Sequence, residues 1–204
     1  MLNERYLIEA RRIAGLRLTH EGDLEHPVFG EGNEVSPLIM FIGEAPGKEE
    51  AACGRPFVGK AGKQLDEMLS LAGIDRKEVY VTNAVKYRPI KRKGNSVSNR
   101  TPTAPEILDG LFLLRTEIEC VNPVVIATLG NVPLSAVMQL KEGRRDTFTV
   151  GAVHGKPFSI LISRETRKIY PLYHPAASIY DRELKPVLEK DLIGLGEFVR
   201  ALNF

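Results

Sequence analysis

Three stretches of this chain are apolar on both alternating faces: residues 38–42 (LIMFI), 78–85 (EVYVTNAV) and 123–130 (PVVIATLG). A strand-length run without polar alternation needs cover above and below, which is the situation of strands inside a parallel sheet. Between the runs the period changes to that of helices. Leu65, Met68, Leu69 and Ala72 share one helical face, with Gly73 as the stop. Thr103 and Glu106 form a capping-box pattern ahead of Ile107, Leu111, Leu114, Ile118 and Val121, which recur at steps of four and three. A shorter helix is expected over 134–140. A last one follows Asp181, carrying Leu184, Val187, Leu188, Leu192, Leu195, Phe198 and Leu202. At the other end Asn3 can cap a first helix through Leu7, Ala10 and Ala14. The segments FSILIS (158–163) and KIYPLYH (168–174) read as a hairpin-like pair or a broken fourth strand. Parallel strands need long crossovers, so this alternation predicts an α/β fold: a three-layer α/β/α sandwich on a central, mostly parallel four-stranded sheet. At 204 residues with 43% hydrophobic content, one domain over 1–204 accommodates it.

Charge narrows little, since 28 basic against 26 acidic residues leave a net +2. Cys53 and Cys120 are isolated, with no CxxC or Cys/His cluster, so the expectation is a reducing cytoplasmic setting, no disulfide framework and no metal site. The N-terminal stretch MLNERYLIEARRIAG has no continuous apolar segment, and no later run reaches spanning length, so neither export nor a membrane partner is expected.

In open parallel sheets ligands bind beyond the carboxyl ends of the strands. Three polar residues stand there: Glu44 after LIMFIG, Asn83 late in VYVTNAV, and His174 after IYPLY. Singly each has an ordinary explanation as a cap, a loop amide or a turn residue; three converging on one edge make a site. Residues 54–60 (GRPFVGK) fit the spacing G-x-x-x-x-G-K of a phosphate cradle, but Ala61 stands where a magnesium-binding hydroxyl belongs and Pro56 removes an N–H, so a nucleotide-hydrolysing loop is disfavoured. Residues 86–100 (KYRPIKRKGNSVSNR) carry Lys86, Arg88, Lys91, Arg92, Lys93 and Arg100 with no acid, as a loop tracking phosphates would; Tyr87 could stack or pack beside it.

Taken together, VFGEGN (28–33), GEAPGKEE (43–50), GRPFVGKAG (54–62), VYVTNAVKYRP (79–89), NRTPTAPEI (99–107) and YHPAA (173–177) resemble the family-4 uracil-DNA glycosylases in order and spacing across roughly residues 28–190. The resemblance implies an α/β/α enzyme that flips uracil out of DNA and cleaves its N-glycosidic bond to leave an abasic site, the base being unreachable inside a stacked duplex. By carry-over, Phe57 stacks on uracil, Asn83 reads O4 and N3–H, and His174 donates to O2. Glu44 stabilises the sugar cation or orients water, with Glu50 a second carboxylate able to share that task. The backbone at Ala45 and Gly47 holds the base oxygens, and Ile179 or Tyr180 is an apolar wedge in the vacated stack. An amide both donates and accepts, which suits uracil and not cytosine.

The chain also departs from that family, whose members usually carry an iron–sulfur cluster on four cysteines. Tyr87 fills the third of those positions and about Gly110 falls at the fourth, so no cluster and no other cofactor is expected. The segment 91–100 (KRKGNSVSNR) contains no histidine, which disfavours the covalent trapping of a related subgroup. The expected partner is uracil-containing DNA and the expected acting unit a monomer. The alternatives are a DNA-binding or damage-sensing protein that kept the fold without turnover and, less favoured, a nucleotide-binding enzyme.

Overall fold

The computed structural model describes residues 27–143 and 146–202, together with Ile8; the first helix expected after Asn3 lies outside the described residues. In chain order the elements are β1 (Glu31–Gly32), β2 (Ile39–Gly43), α1 (Lys48–Cys53), α2 (Lys60–Ala72), β3 (Val79–Asn83), β4 (Ile90–Lys93) and β5 (Ser96–Asn99). There follow α3 (Ala104–Val121), β6 (Val125–Leu129), α4 (Asn131–Leu140), α5 (Val150–Val153), β7 (Phe158–Ile162), β8 (Glu165–Leu172), α6 (Ala177–Tyr180) and α7 (Leu184–Leu202).

The main sheet runs β1-β3-β2-β6-β8-β7. Its inner four strands, β3, β2, β6 and β8, are parallel, as their apolar runs require, and β1 and β7 add antiparallel edges. The sheet therefore has six strands rather than the expected four. β1 is two residues long, too short for any period to register, and β7 is the hairpin partner of β8, which resolves the ambiguity of FSILIS and KIYPLYH.

Strand alternation divides the core. Ile39 and Phe41 of β2 face a cluster with Leu65, Met68 and Leu69 of α2 and Leu188, Leu192, Leu195 and Val199 of α7. Met40 and Ile42 face the opposite cluster, with Leu114 and Ile118 of α3 and Leu134 and Val137 of α4. All five residues of β2 are buried, and each fully buried large aliphatic or aromatic side chain contributes about 1.5–3 kcal/mol. Helix ends follow the sequence signals. Thr103 N–H donates to Glu106 Oε2 (2.7 Å) at the start of α3, and Gly73 ends α2 in the left-handed region at φ 67°. Asp181 accepts from Glu183 N–H (3.0 Å) just before α7. No described helix is long and apolar enough to cross a membrane.

Two departures bear on the site. Residues 90–99, expected as a basic loop, form a two-stranded antiparallel hairpin, β4–β5, apart from the main sheet. The Gly-rich segment after β2 contains the helix α1, its backbone tied down as described next.

Candidate active site

From β2 the chain reaches β3 on one side and, after α3, β6 on the other, so β2 is the point where strand order reverses and a crevice opens at its carboxyl end. A pocket of about 360 Å³ lies there, lined by Ala45, Gly47, Phe57, Asn83, Asn99 and His174 among others. Residues from β3, from the end of β8 and from the segment between β2 and α2 thus meet at one edge.

Gly43, the last residue of β2, is the floor. A Cβ built on it would lie 2.5 Å from Asn83 Oδ1 and 2.7 Å from the Phe57 ring, so glycine lets the amide and the aromatic face converge. Phe57 has φ 55°, a left-handed conformation that costs of order 1–3 kcal/mol for a side chain of this type. Gly62, in the first turn of α2, accommodates it, because any side chain there would run into the Phe57 carbonyl. Asn83 is 4% exposed, and no described residue hydrogen-bonds its side-chain amide. A buried amide on the pocket wall offers both a donor and an acceptor to whatever fills the pocket.

His174 follows β8. Ala176 N–H donates to its Nδ1 (3.1 Å), so the proton of the neutral ring sits on Nε2. Burial holds its pKa below the ordinary 6.5, which keeps the imidazole a neutral donor. Glu44 stands beside the pocket rather than in its lining, which begins at Ala45. It is half-buried, no described residue donates to its carboxylate, and burial raises its pKa.

Glu50 lines the pocket and is also bonded to the backbone of the loop. Its Oε1 accepts from Gly59 N–H (2.8 Å) and its Oε2 from Gly47 N–H (3.1 Å), so one carboxylate ties the amino ends of α2 and α1 together. The anion in the phosphate-like cradle is the protein's own side chain, at helix N-termini where negative charge is favoured. Gly47 N–H is consequently bonded to Glu50, and both Ala45 and Gly47 lie in the pocket wall. The loop is further held by Arg55, which bonds both carboxylate oxygens of Glu31 on β1 (2.9 and 2.6 Å).

The basic residues separate into two kinds. Lys91, Arg92 and Lys93 are exposed on β4. Lys86 is 1% exposed and is removed from the phosphate-contact set: its ammonium is paired with the buried Glu117 at 2.6 Å. Charge alone could not reveal this, because the neutralising carboxylate lies in α3, 31 residues away. Arg100 is bound bidentately to Glu106, whose carboxyl it pulls down to about 2, and also to Ile90 O. Arg88 Nε donates to Asn99 Oδ1 (2.7 Å). That bond turns the Asn99 NH₂ to the other side of the amide, and Asn99 lines the pocket. Nothing in the sequence singles out Asn99 beyond its place in the NRTP segment. Ile179 and Tyr180 close the one-turn helix α6; their side chains are outside the described set.

Among known proteins, the family described as the uracil DNA glycosylase superfamily matches residues 29–193 of this chain. The chain is similar to the type-4 uracil-DNA glycosylase of Thermotoga maritima, 39% identical over 176 residues, covering 85% of this chain and 83% of that protein. It is 38% identical over 168 residues to the type-4 uracil-DNA glycosylase of Saccharolobus solfataricus, covering 82% and 73% respectively. With that of Archaeoglobus fulgidus it shares 37% over 171 residues, covering 83% and 80%.

Proposed function

The chain belongs to the uracil DNA glycosylase superfamily, and on that basis we propose that it is a DNA repair enzyme that excises uracil and leaves an abasic site. The observation carrying the reading to the chemistry is the convergence on one pocket of a stacking ring, Phe57, an unpartnered buried amide, Asn83, and a neutral Nε2–H donor, His174. Uracil flipped from the stack lies on Phe57 over the Gly43 floor. Asn83 donates to O4 and accepts from N3–H, the reverse of what cytosine offers. Bond cleavage leaves negative charge on the departing base and positive charge on the sugar. His174 Nε2–H stabilises the first at O2, and the Glu44 carboxylate, one residue from the pocket wall, supports the second or orients water. Glu50 positions the loop that carries Phe57, and the Asn99 NH₂ is a further donor for a water or the sugar.

The four-cysteine cluster pattern of family 4 does not fit the residues present. The chain has two cysteines, Cys53 exposed at the end of α1 and Cys120 on α3. Tyr87 is buried, and a side chain at position 110 would run into the Ala84 carbonyl. Among the described residues no three His, Cys, Asp or Glu side chains are grouped to hold a metal.

The partner is uracil-containing DNA, handled by a single chain. Lys91, Arg92 and Lys93 on the β4–β5 hairpin contact phosphates, with Arg88 and Arg100 at its base and Ile179 or Tyr180 as the wedge. Replacing Lys91, Arg92 and Lys93 together with alanine is expected to flatten the slope of log affinity against log salt by roughly 2 to 3 units, without changing the excision rate at saturating protein. Titrations of a fluorescent duplex at several salt concentrations, paired with single-turnover rates, check this.

The reading itself is tested with a single-uracil oligonucleotide, single- and double-stranded, treated with alkali after incubation. Strand scission at the uracil position and release of free uracil are expected. Retained binding without scission on either strand form would favour a DNA-binding protein that has lost turnover.

A further inference from the structure

Lys86 and Glu117 form an ion pair with no solvent exposure of either side chain. Withdrawing two charges from water costs more than their attraction commonly returns, and a packed apolar pair of similar volume is often as stable or more so. Stability alone therefore does not account for this pair, and its geometry offers another role. The ammonium makes three bonds: to Glu117 Oε2 (2.6 Å), to Thr82 Oγ1 (2.7 Å) and to the backbone carbonyl of Asn83 (2.7 Å). Thr82 O–H donates to the same Glu117 oxygen (2.8 Å), and Gly30 N–H donates to the other (3.3 Å).

Asn83 is the last residue of β3; the next amides still bond across to the β2 side, Ala84 N–H to Gly43 O (2.9 Å) and Val85 N–H to Glu44 O (3.1 Å), while the Asn83 carbonyl accepts from Lys86. The Asn83 side chain sits against Gly43 with no slack, since even a methyl group on Gly43 would come within 2.5 Å of Oδ1. A small rotation of the strand end would therefore misdirect the amide. Lys86 braces that strand end against α3 through Glu117.

We propose that the buried Lys86–Glu117 pair is a positioning device for Asn83, holding its carbonyl so that its amide meets the edge of the flipped base. The inference rests on the glycosylase reading above for what the amide recognises. The two residues touch no substrate; they act through Asn83.

The test removes both charges at once, so that neither is left buried alone: Lys86→Met with Glu117→Met, made in the wild-type and in the Asn83→Ala backgrounds. In the wild-type background single-turnover uracil excision is expected to slow on the order of 10- to 100-fold while the melting temperature stays within about 5 °C. In the Asn83→Ala background the same pair should cause no further slowing. A second readout is the Asn83 side-chain amide signal in a proton–nitrogen correlation spectrum, assigned by its disappearance in Asn83→Ala. It should shift or split when the pair is replaced. Equal slowing in both backgrounds, or an unmoved amide signal, would overturn the inference. Wild-type protein that excises no uracil sinks the glycosylase reading instead, and the amide signal then decides the positioning role by itself. Should the double replacement fail to fold, Thr82→Val removes only the shared hydroxyl and is expected to move the same signal in a folded protein; an unmoved signal there counts against the proposal equally.

Discussion

Replacing His174 with alanine is expected to slow uracil excision by roughly two to three orders of magnitude near neutral pH, with binding of uracil-free DNA unchanged. The leaving base gathers negative charge only as the bond breaks, so a donor at O2 lowers the barrier more than it strengthens ground-state binding. Two features of the structure pre-set that donor. The bond from Ala176 N–H occupies Nδ1 and leaves the proton on Nε2, and burial keeps the ring neutral by lowering its pKa below 6.5. The pH profile follows. A lowered pKa means that the neutral donor survives as pH falls through the ordinary imidazole range, so excision should not change across that window on account of His174. Burial raises the Glu44 pKa above 4.5, so its carboxylate is lost earlier on acidification than an exposed one, and the acid limb belongs to these two groups. The unfolded chain accepts a proton at His174 near 6.5, which the folded chain refuses until lower pH. His174 therefore costs stability below that value and nothing above it. Single-turnover rates against pH for wild type and His174→Ala measure both effects. A loss of less than about threefold would remove His174 from the chemistry.

Asn83→Ala is expected to lower kcat/KM for uracil by roughly three orders of magnitude, because a site built around paired hydrogen bonds discriminates steeply when one side of the pairing is missing. Asn83→Asp should fare no better: an ionised carboxylate donates nothing to O4 and repels it. The fold should tolerate the alanine. No described residue bonds to the Asn83 side chain, so truncation orphans no protein donor or acceptor, and the melting temperature should move by only a few degrees, about 1 kcal/mol in stability. Excision assays beside thermal melts separate the two. Activity that survives the change would place uracil recognition elsewhere, whereas a collapsed melt would return Asn83 to a structural role.

Much of this site is written locally. Glu44, Asn83 and His174 each end an apolar run, and a parallel sheet brings the ends of its strands to one edge whatever the details of packing. Phe57 came through the family resemblance of GRPFVGKAG, and its ring lies in the pocket wall beside Gly43. What escaped the sequence depended on partners far along the chain. Lys86 read as one more cation in a basic segment until α3 supplied Glu117. The bonds of Glu50 to Gly47 and Gly59 were likewise invisible, because they form only when the amino ends of two helices meet. Asn99 read as part of a loop, since β4 and β5 show no apolar alternation: seven of their eight residues are exposed and Ile90 is half-buried.

The sequence by itself determined the parallel inner strands, the long helices between them and the edge at which the strand ends meet, because period and capping act within a few residues. The tertiary structure alone decided which charges stay exposed and which are paired inside the protein. Burial and pairing are properties of the packed chain: the Lys86 ammonium is 1% exposed beside a carboxylate 31 residues away, whereas Lys91 and Lys93 on the hairpin stay in solvent.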